Sequence, residues 1–378
     1  MSSNNRTDPE IKFEVTPWNV EGSVDYDKLI KKFGTTKITI ELISKIKKLL
    51  GEIHPMIAMG FFFSHRDFDW ILEKFENKEK FYLYTGRGPS GKVHLGHLMP
   101  WLFAKYLQDE FGSDLLFQLT DDEKFLYGKN SAMEIQKYAT DNILDIIATG
   151  FSPNKTKIII DTKHISSLYP TALEISKRIT FSTARAVFGF NSSTNIGMIG
   201  FPPIQAVPCF LPSIIEGQKT PVLIPAAIDQ DPYWRMTRDV AEKMGYYKPA
   251  QIHSKFLPSL EQVGKMSSSK PETAIFTTDS EEEISRKVSQ AFTGGQATTS
   301  LQRLLGGNPD RCPVFSYLKY LYDTPKESME RQLKCRGGNL LCGECKHDLS
   351  KNTITFLSEF QKKREKAIDM VPEFMYNQ

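Results

Sequence analysis

His94 and His97 bracket Gly96 at the head of an amphipathic run, Leu95, Leu98, Leu102, Phe103, Tyr106 and Leu107, whose spacing predicts a helix. Before them a short apolar run, residues 81–84, breaks into the turn formers Gly86, Gly88, Pro89 and Gly91. Strand, glycine-rich turn and helix start together make an anion site. Small residues let backbone amides approach a phosphate, and a helix N-terminus favours negative charge. The pattern is neither a P-loop nor a dinucleotide fingerprint. A second polar cluster, Gly264-Lys-Met-Ser-Ser-Ser-Lys270, sets two lysines and three hydroxyls in one short loop. Such a loop can close over a polyphosphate, its cations neutralising charge on departing oxygens and its hydroxyls adding hydrogen bonds.

These residues need a scaffold, and residues 81–280 read as one. Strands are expected at 81–84, 114–120, 157–161, 221–225 and 250–255. Helices are expected at 94–107, 131–149 and 231–244, with further helical stretches over 166–211 broken at Pro202, Pro203 and Pro208. Strands alternating with helices of this length predict βαβ units and a doubly wound parallel sheet of the Rossmann type. The polar clusters 85–88, 120–124 and 229–231 all follow strands, so they should converge at the carboxyl ends of the sheet. Residues 1–80 read as a short N-terminal extension. It holds an edge strand at 11–15, two helical stretches over 25–51 broken at Gly34, an apolar turn at 61–66 and a helix to Asn77 capped by Asp67. Residues 281–378 read as an all-helical domain that opens on the capping signature Ser280 and Glu283. Between Lys319 and Lys366 eleven Lys or Arg face seven Asp or Glu, a mild excess compatible with an RNA-facing surface.

The two polar clusters stand about 170 residues apart and in a definite order. His94-Leu-Gly-His97 resembles the His-Ile-Gly-His motif of class I aminoacyl-tRNA synthetases, and Lys265-Met-Ser-Ser-Ser269 resembles their Lys-Met-Ser-Lys-Ser loop. Ser268 replaces the motif lysine, which leaves Lys265 as the main cation of the loop. Longer segments, at 61–67, 81–90, 118–124, 201–205 and 227–239, resemble the tryptophan-specific branch of that class, in its eukaryotic cytosolic form. The resemblance runs from about Thr16 to the C-terminus.

It implies activation of L-tryptophan with ATP to tryptophanyl-adenylate and pyrophosphate, then transfer to the 3′-terminal adenosine of tRNA(Trp), with attack from the 2′-hydroxyl. His94, His97, Lys265, Ser267 and Ser269 would be the catalytic groups, binding the phosphates as charge builds. Gly86, Arg87, Gly88, Gly96 and Met266 would line the ATP path, and Asp229 would accept from the ribose hydroxyls. Tyr84 and Gln118 would meet the indole nitrogen, with Glu123 on the α-ammonium assisted by Gln205 and Gln230. Asp121 or Asp122 would cap the helix that carries Glu123. ATP is then a substrate that brings Mg2+ with it, with no bound organic cofactor, and a homodimer is expected. The nearest alternative is a tyrosine–tRNA ligase. A nucleotidylyltransferase sharing the His-x-Gly-His element and a non-catalytic RNA-binding or signalling paralogue stand further off. The N-terminal strand and Trp18 resemble a hairpin over the ATP site, and the C-terminal helices would read the anticodon.

Composition sets the outer bounds. The net charge of +3 requires any basic surface to be local. Five cysteines, an odd number, argue for a reducing compartment, and the polar N-terminus has no apolar signal-peptide core, so a cytoplasmic protein without a membrane span is expected. Cys335, Cys342, Cys345 and His347 have spacing that superficially suggests zinc. Cys342 and Cys345 fall at an expected helix start, however, and no metal site is expected.

Overall fold

The structure is a computed structural model that describes residues 14–15, 20–21, 24–262 and 264–377. Its strands are β1 (Glu14–Val15), β2 (Val20–Glu21), β3 (Thr36–Lys37), β4 (Phe62–Arg66), β5 (Tyr82–Arg87), β6 (Asp114–Leu119), β7 (Thr156–Ile160), β8 (Val222–Ala227) and β9 (Ala250–Ser254). β1 and β2 form a separate antiparallel ribbon. The rest of the predicted 11–15 strand, and Trp18, lie outside the described residues. The other seven strands make one sheet in the order β3-β4-β9-β8-β5-β6-β7. From β9 to β7 all neighbours are parallel, as the βαβ reading required.

Alternate residues of these strands feed two cores, which is why the runs are continuously apolar. Leu83, Leu115, Phe117, Ile158 and Leu223 belong to one core, and Tyr82, Tyr84, Leu116, Ile159 and Ile224 to the other. Helices must therefore cover both faces. Leu95–Phe111 and Ala132–Ala148 cover the first, together with the long C-terminal helix Cys342–Phe374, which buries Leu349, Leu357, Phe360, Ala367 and Phe374 there. Ile165–Ser176, Ile196–Ala206 and Asp231–Ala241 cover the second.

Three expectations need correction. Residues 61–66 are not a turn: Phe62–Arg66 is β4, antiparallel to β9, and β3 pairs with it in turn. Four consecutive buried residues, Phe62 to His65, hide the alternation that marks a half-exposed strand. The N-terminal segment thus extends the sheet. Pro202 and Pro203 do not break their helix but lie buried inside Ile196–Ala206, where their missing N–H groups release the carbonyls of Met198 and Ile199. A short helix at Thr299–Leu305 adds an element that was not expected. The helix after Asp67 was expected and is present as Phe68–Glu76. Asp67 itself, left-handed at φ 55°, makes no cap hydrogen bond; its carboxylate meets Arg238 at 2.7 Å. Gly34 ends the first helix at φ 66°, and Ser280 and Glu283 form their capping box.

Candidate active site

β5 is the hinge of the topology. The chain leaves it for β6 and β7 on one side, then returns to β8 and β9 on the other. A crevice opens at such a reversal, beyond the carboxyl ends of the strands. Here it is a cleft of about 930 Å3, and every site residue expected from the sequence lines it. The opposite wall is the loop around Lys265–Ser269, closed by an antiparallel bridge between Pro258 and Lys265 and followed by one between Phe276 and His94.

Gly86 pairs with Gln118 across β5 and β6. A Cβ there would lie 2.7 Å from the Gln118 carbonyl oxygen, so the strand pair itself, and not only the ligand path, demands glycine. Gly96 is tighter against protein than against solvent, since its Cβ would meet the His94 ring at 3.1 Å. Its amide points at the Met266 sulfur, 3.4 Å away.

The two imidazoles stack at 3.5 Å between centroids, with the His94 amide donating to His97 Nδ1 at 3.3 Å. Burial first, then the nearby Arg87 charge, pushes both pKa values well below the usual histidine range. Both rings are therefore neutral near pH 7 and act as hydrogen-bond groups, not as cations. Positive charge next to the rings comes from Arg87 and Lys265, and Lys92, Lys124 and Lys255 also line the cleft. Arg87 Nη2 donates to the Gly91 and Lys92 carbonyls at 2.9 and 3.0 Å, while its buried Nε and Nη1 have no protein partner. Burial lowers its pKa to about 10, which still leaves it charged. Lys265 Nζ rests 3.3 Å from Asp229 Oδ2, one turn beyond β8. Ser267 and Ser269 share a 2.9 Å hydroxyl contact in the same loop.

At the other end of the cleft the floor is Tyr84, Gln118 and Trp234. The Tyr84 hydroxyl donates to Gln118 Oε1 and, at 2.9 Å, to the Gln205 carbonyl. Trp234 stands edge-on to the Tyr84 ring at 5.2 Å. Gln118 Nε2 donates to Asp161 Oδ1 at 2.7 Å, so the amide orientation is set from behind. Asp161 is fully buried, and its pKa is raised well above the carboxylate range by burial and by Asp122. Asp161 and Trp234 were assigned no role from sequence. Trp234 falls within the segment 227–239, and only the β6–β7 register brings Asp161 behind Gln118.

Glu123 lies in the first turn of Asp121–Tyr127, with Oε2 accepting from Thr120 Oγ1 at 3.1 Å and facing Lys124 Nζ at 3.0 Å. Neither expected residue is the cap, which is Thr120 without a side-chain cap bond: Asp122, inside the first turn, accepts the Glu123 amide at 2.7 Å, and Asp121 turns away to accept the Thr162 amide at 3.0 Å. Gln205 ends Ile196–Ala206 and Gln230 opens Asp231–Ala241, both on the cleft wall.

A glycine-rich turn, a polar loop and an apolar slot with a polar floor meet in one crevice. The profile of tRNA synthetases class I (W and Y) matches residues 76–358. The chain belongs to this family. The relative from Pyrobaculum calidifontis, a tryptophan–tRNA ligase, is 49% identical over 96% of this chain and 97% of its own length. That from Thermococcus onnurineus, of the same name, is 51% identical over 97% and 94%. Among solved structures, the Plasmodium falciparum tryptophanyl-tRNA synthetase superposes with a TM-score of 0.87 at 40% identity, covering 93% of this chain and 98% of that one. As a member of its class, this synthetase uses ATP as a substrate.

Outside the cleft, Cys335, Cys342 and Cys345 line a second, small cavity in which Cys312 takes the place expected for His347. Among the described residues no three potential ligands stand close enough together to hold one metal ion. No described helix is long and apolar enough to cross a membrane.

Proposed function

We propose that the protein is a tryptophan–tRNA ligase, and the observation that carries this is the Tyr84–Gln118 pair at the floor of the apolar slot. An indole is a large plate with one N–H donor and no acceptor. The floor offers it acceptors, and Trp234 supplies an aromatic wall. A phenylalanine ring has no N–H to give those acceptors and forgoes that hydrogen bond, worth about 0.5–1.5 kcal/mol. Glu123, with Gln205 and Gln230, receives the α-ammonium. Across the cleft Asp229 takes the ribose, and Gly86, Gly88, Gly96 and Met266 shape the nucleotide path. Arg87, His94, His97, Lys265, Ser267 and Ser269 take the phosphates. The carboxylate of tryptophan then attacks the α-phosphate, and alignment with charge stabilisation supplies most of the acceleration. The adenylate passes its tryptophan to the terminal adenosine of tRNA(Trp). Mg2+ enters on ATP, held by phosphate oxygens and water.

The same reading divides the chain into an extension at 1–80, a catalytic unit at 81–280 and a helical anticodon unit at 281–378. It also makes the protein a homodimer, supported by the exposed apolar side chains of Tyr169, Leu173, Phe181, Ile214 and Ile215. Free thiols at all five cysteines support a cytoplasmic setting. The eukaryotic-type assignment is supported by the Plasmodium falciparum relative, while the archaeal relatives are more similar to this chain in sequence.

Amino-acid-dependent ATP–pyrophosphate exchange tests the reading: tryptophan alone should support it. Exchange with tyrosine but not tryptophan would make the protein the sister ligase, and exchange with no amino acid would make it a non-catalytic paralogue. Within the pocket Asp161 acts by fixing Gln118. Asp161→Ala should raise the tryptophan KM about tenfold, a loss near one hydrogen bond, while kcat and the ATP KM stay within about twofold. Asp161→Asn keeps an oxygen at the same place and should recover most of the loss. A change spread equally over both substrates would mean general loosening instead.

A further inference from the structure

The phosphate side of the cleft is not held by residues 81–280 alone. Gln361 and Arg364 lie about one turn apart on the long helix Cys342–Phe374. Arg364 Nε donates to Asp145 Oδ1 at 3.1 Å, and its Nη2 reaches the Asp141 carboxylate and, at 3.4 Å, the Asp141 carbonyl. Both acids belong to Ala132–Ala148, and Asn142 of the same helix donates to the Gly91 carbonyl at 3.1 Å. Arg87 Nη2 donates to that same carbonyl. One helix therefore meets Arg364 and the glycine-rich turn together. Gln361 reaches the other flank of that turn. Its Nε2 donates to the Thr277 and Asp279 carbonyls at 2.8 and 3.0 Å. The segment it holds is the backbone partner of the histidine motif. The Thr277 amide donates to the Val93 carbonyl and the Leu95 amide to the Ile275 carbonyl, each at 3.0 Å, with His94 and Phe276 bridged between them.

Charge supports the same connection. A buried guanidinium needs a counter-charge, and the acidic groups acting on Arg87 are Asp145 first and then Asp141. Asp145 is wholly buried, and burial pushes its carboxyl up to about 6 against the opposing charges of Arg364 and Arg87. It is therefore ionised near pH 7 and stands between the two arginines. Arg364 thus fixes both carboxylates that balance Arg87. From this lacing we propose that Arg364 and Gln361 are positioning residues for adenylate formation, which hold Arg87 and His94 against the ATP phosphates from the C-terminal helix. The proposal rests on the reading that Arg87 and His94 take those phosphates. It gives the C-terminal helix a part in the first chemical step, before any tRNA is bound.

Tryptophan-dependent pyrophosphate exchange by the full-length protein, without tRNA, tests this. Arg364→Ala should lower kcat/KM for ATP about tenfold, the size of one charge-assisted hydrogen bond, and Gln361→Leu about threefold. The tryptophan KM should stay within about twofold in both, since neither residue reaches the amino-acid pocket. Arg364→Lys keeps the charge without the fork and should recover part of the loss. Arg364→Ala also strands Asp145 in the interior, so the double variant with Asp145→Asn separates stability from positioning. It should regain most of the parental denaturant midpoint and keep the ATP defect. Arg87→Gln is the reference for the wall itself. If it impairs ATP use while Arg364→Ala and Gln361→Leu do not, the proposal falls and the phosphate reading stands. If Arg87→Gln leaves ATP use untouched, the reading of Arg87 fails and takes the proposal with it. Equal losses toward ATP and tryptophan overturn it too, as does an ATP defect that vanishes once the double variant regains its stability.

Discussion

Lys265→Ala is expected to slow tryptophan-dependent pyrophosphate exchange by about 10²–10³-fold in kcat, with the tryptophan KM unchanged within about twofold. The size is that of removing one preorganised group aimed at developing charge, about 3–4 kcal/mol. The asymmetry follows from position. Lys265 stands across the cleft from Tyr84, Gln118 and Glu123, on the loop wall, and its ammonium rests on Asp229 Oδ2 at 3.3 Å. It has no part in the amino-acid pocket. Charge accumulates on the leaving pyrophosphate as the α-phosphate is attacked, and only then does the ammonium have a stronger partner than Asp229. Lys270 cannot replace it, because its Nζ is paired with Glu261 at 3.1 Å on an exposed part of the loop. Neutral His94 and His97 cannot supply the charge either. Steady-state exchange with varied tryptophan and varied ATP separates the terms. Parallel losses in kcat and in tryptophan affinity would sink the assignment, since the lysine would then be supporting the bound ground state as well.

How much of this was legible depends on the range of the interaction. The strands of the parallel sheet announced themselves because both faces are buried, giving short continuous apolar runs between turn formers. The cleft was legible for the same reason. Polar residues at or just beyond the ends of strands must gather at one edge of a parallel sheet, and Gly86, Gln118 and Asp229 did so. What escaped was set by contacts distant in sequence. Asp161 matters only because β7 lies beside β6, and Cys312 joins Cys335, Cys342 and Cys345 only because two helices fold back over it. The neutrality of the imidazoles was equally hidden, since burial under the loop is a property of packing and not of spacing. β4 was misread from Phe62, Phe63, Ser64 and His65, four residues whose burial leaves no period to detect.

That misreading bears on function, because β4 brings Arg66 to the catalytic sheet. Arg66 Nε and Nη2 grip Asp231 Oδ1 and Oδ2 at 2.7 and 2.9 Å, and Nη1 reaches the Gly34 carbonyl at 3.0 Å. Asp231 is wholly buried, and it opens the helix that carries Trp234, immediately after Asp229 and Gln230. Its other basic neighbour, His253, lies 3.6 Å away, but burial pushes that imidazole down to about 4. At neutral pH it carries no charge to offer. Arg66→Ala therefore strands a carboxylate in the interior, and the expected cost is about 3–5 kcal/mol of unfolding free energy. Denaturant titration reads it as a lower midpoint at unchanged slope. The double variant Arg66→Ala with Asp231→Asn removes the stranded charge and should recover a large part of the loss, by more than additivity allows for independent sites. The single variant should also raise the KM for both ATP and tryptophan, because Asp229, Gln230 and Trp234 hang on the helix that Asp231 anchors. If Arg66→Ala stays within about 1 kcal/mol of the parent, or if Asp231→Asn brings no recovery, the N-terminal segment is not the buttress of the cleft that its geometry describes.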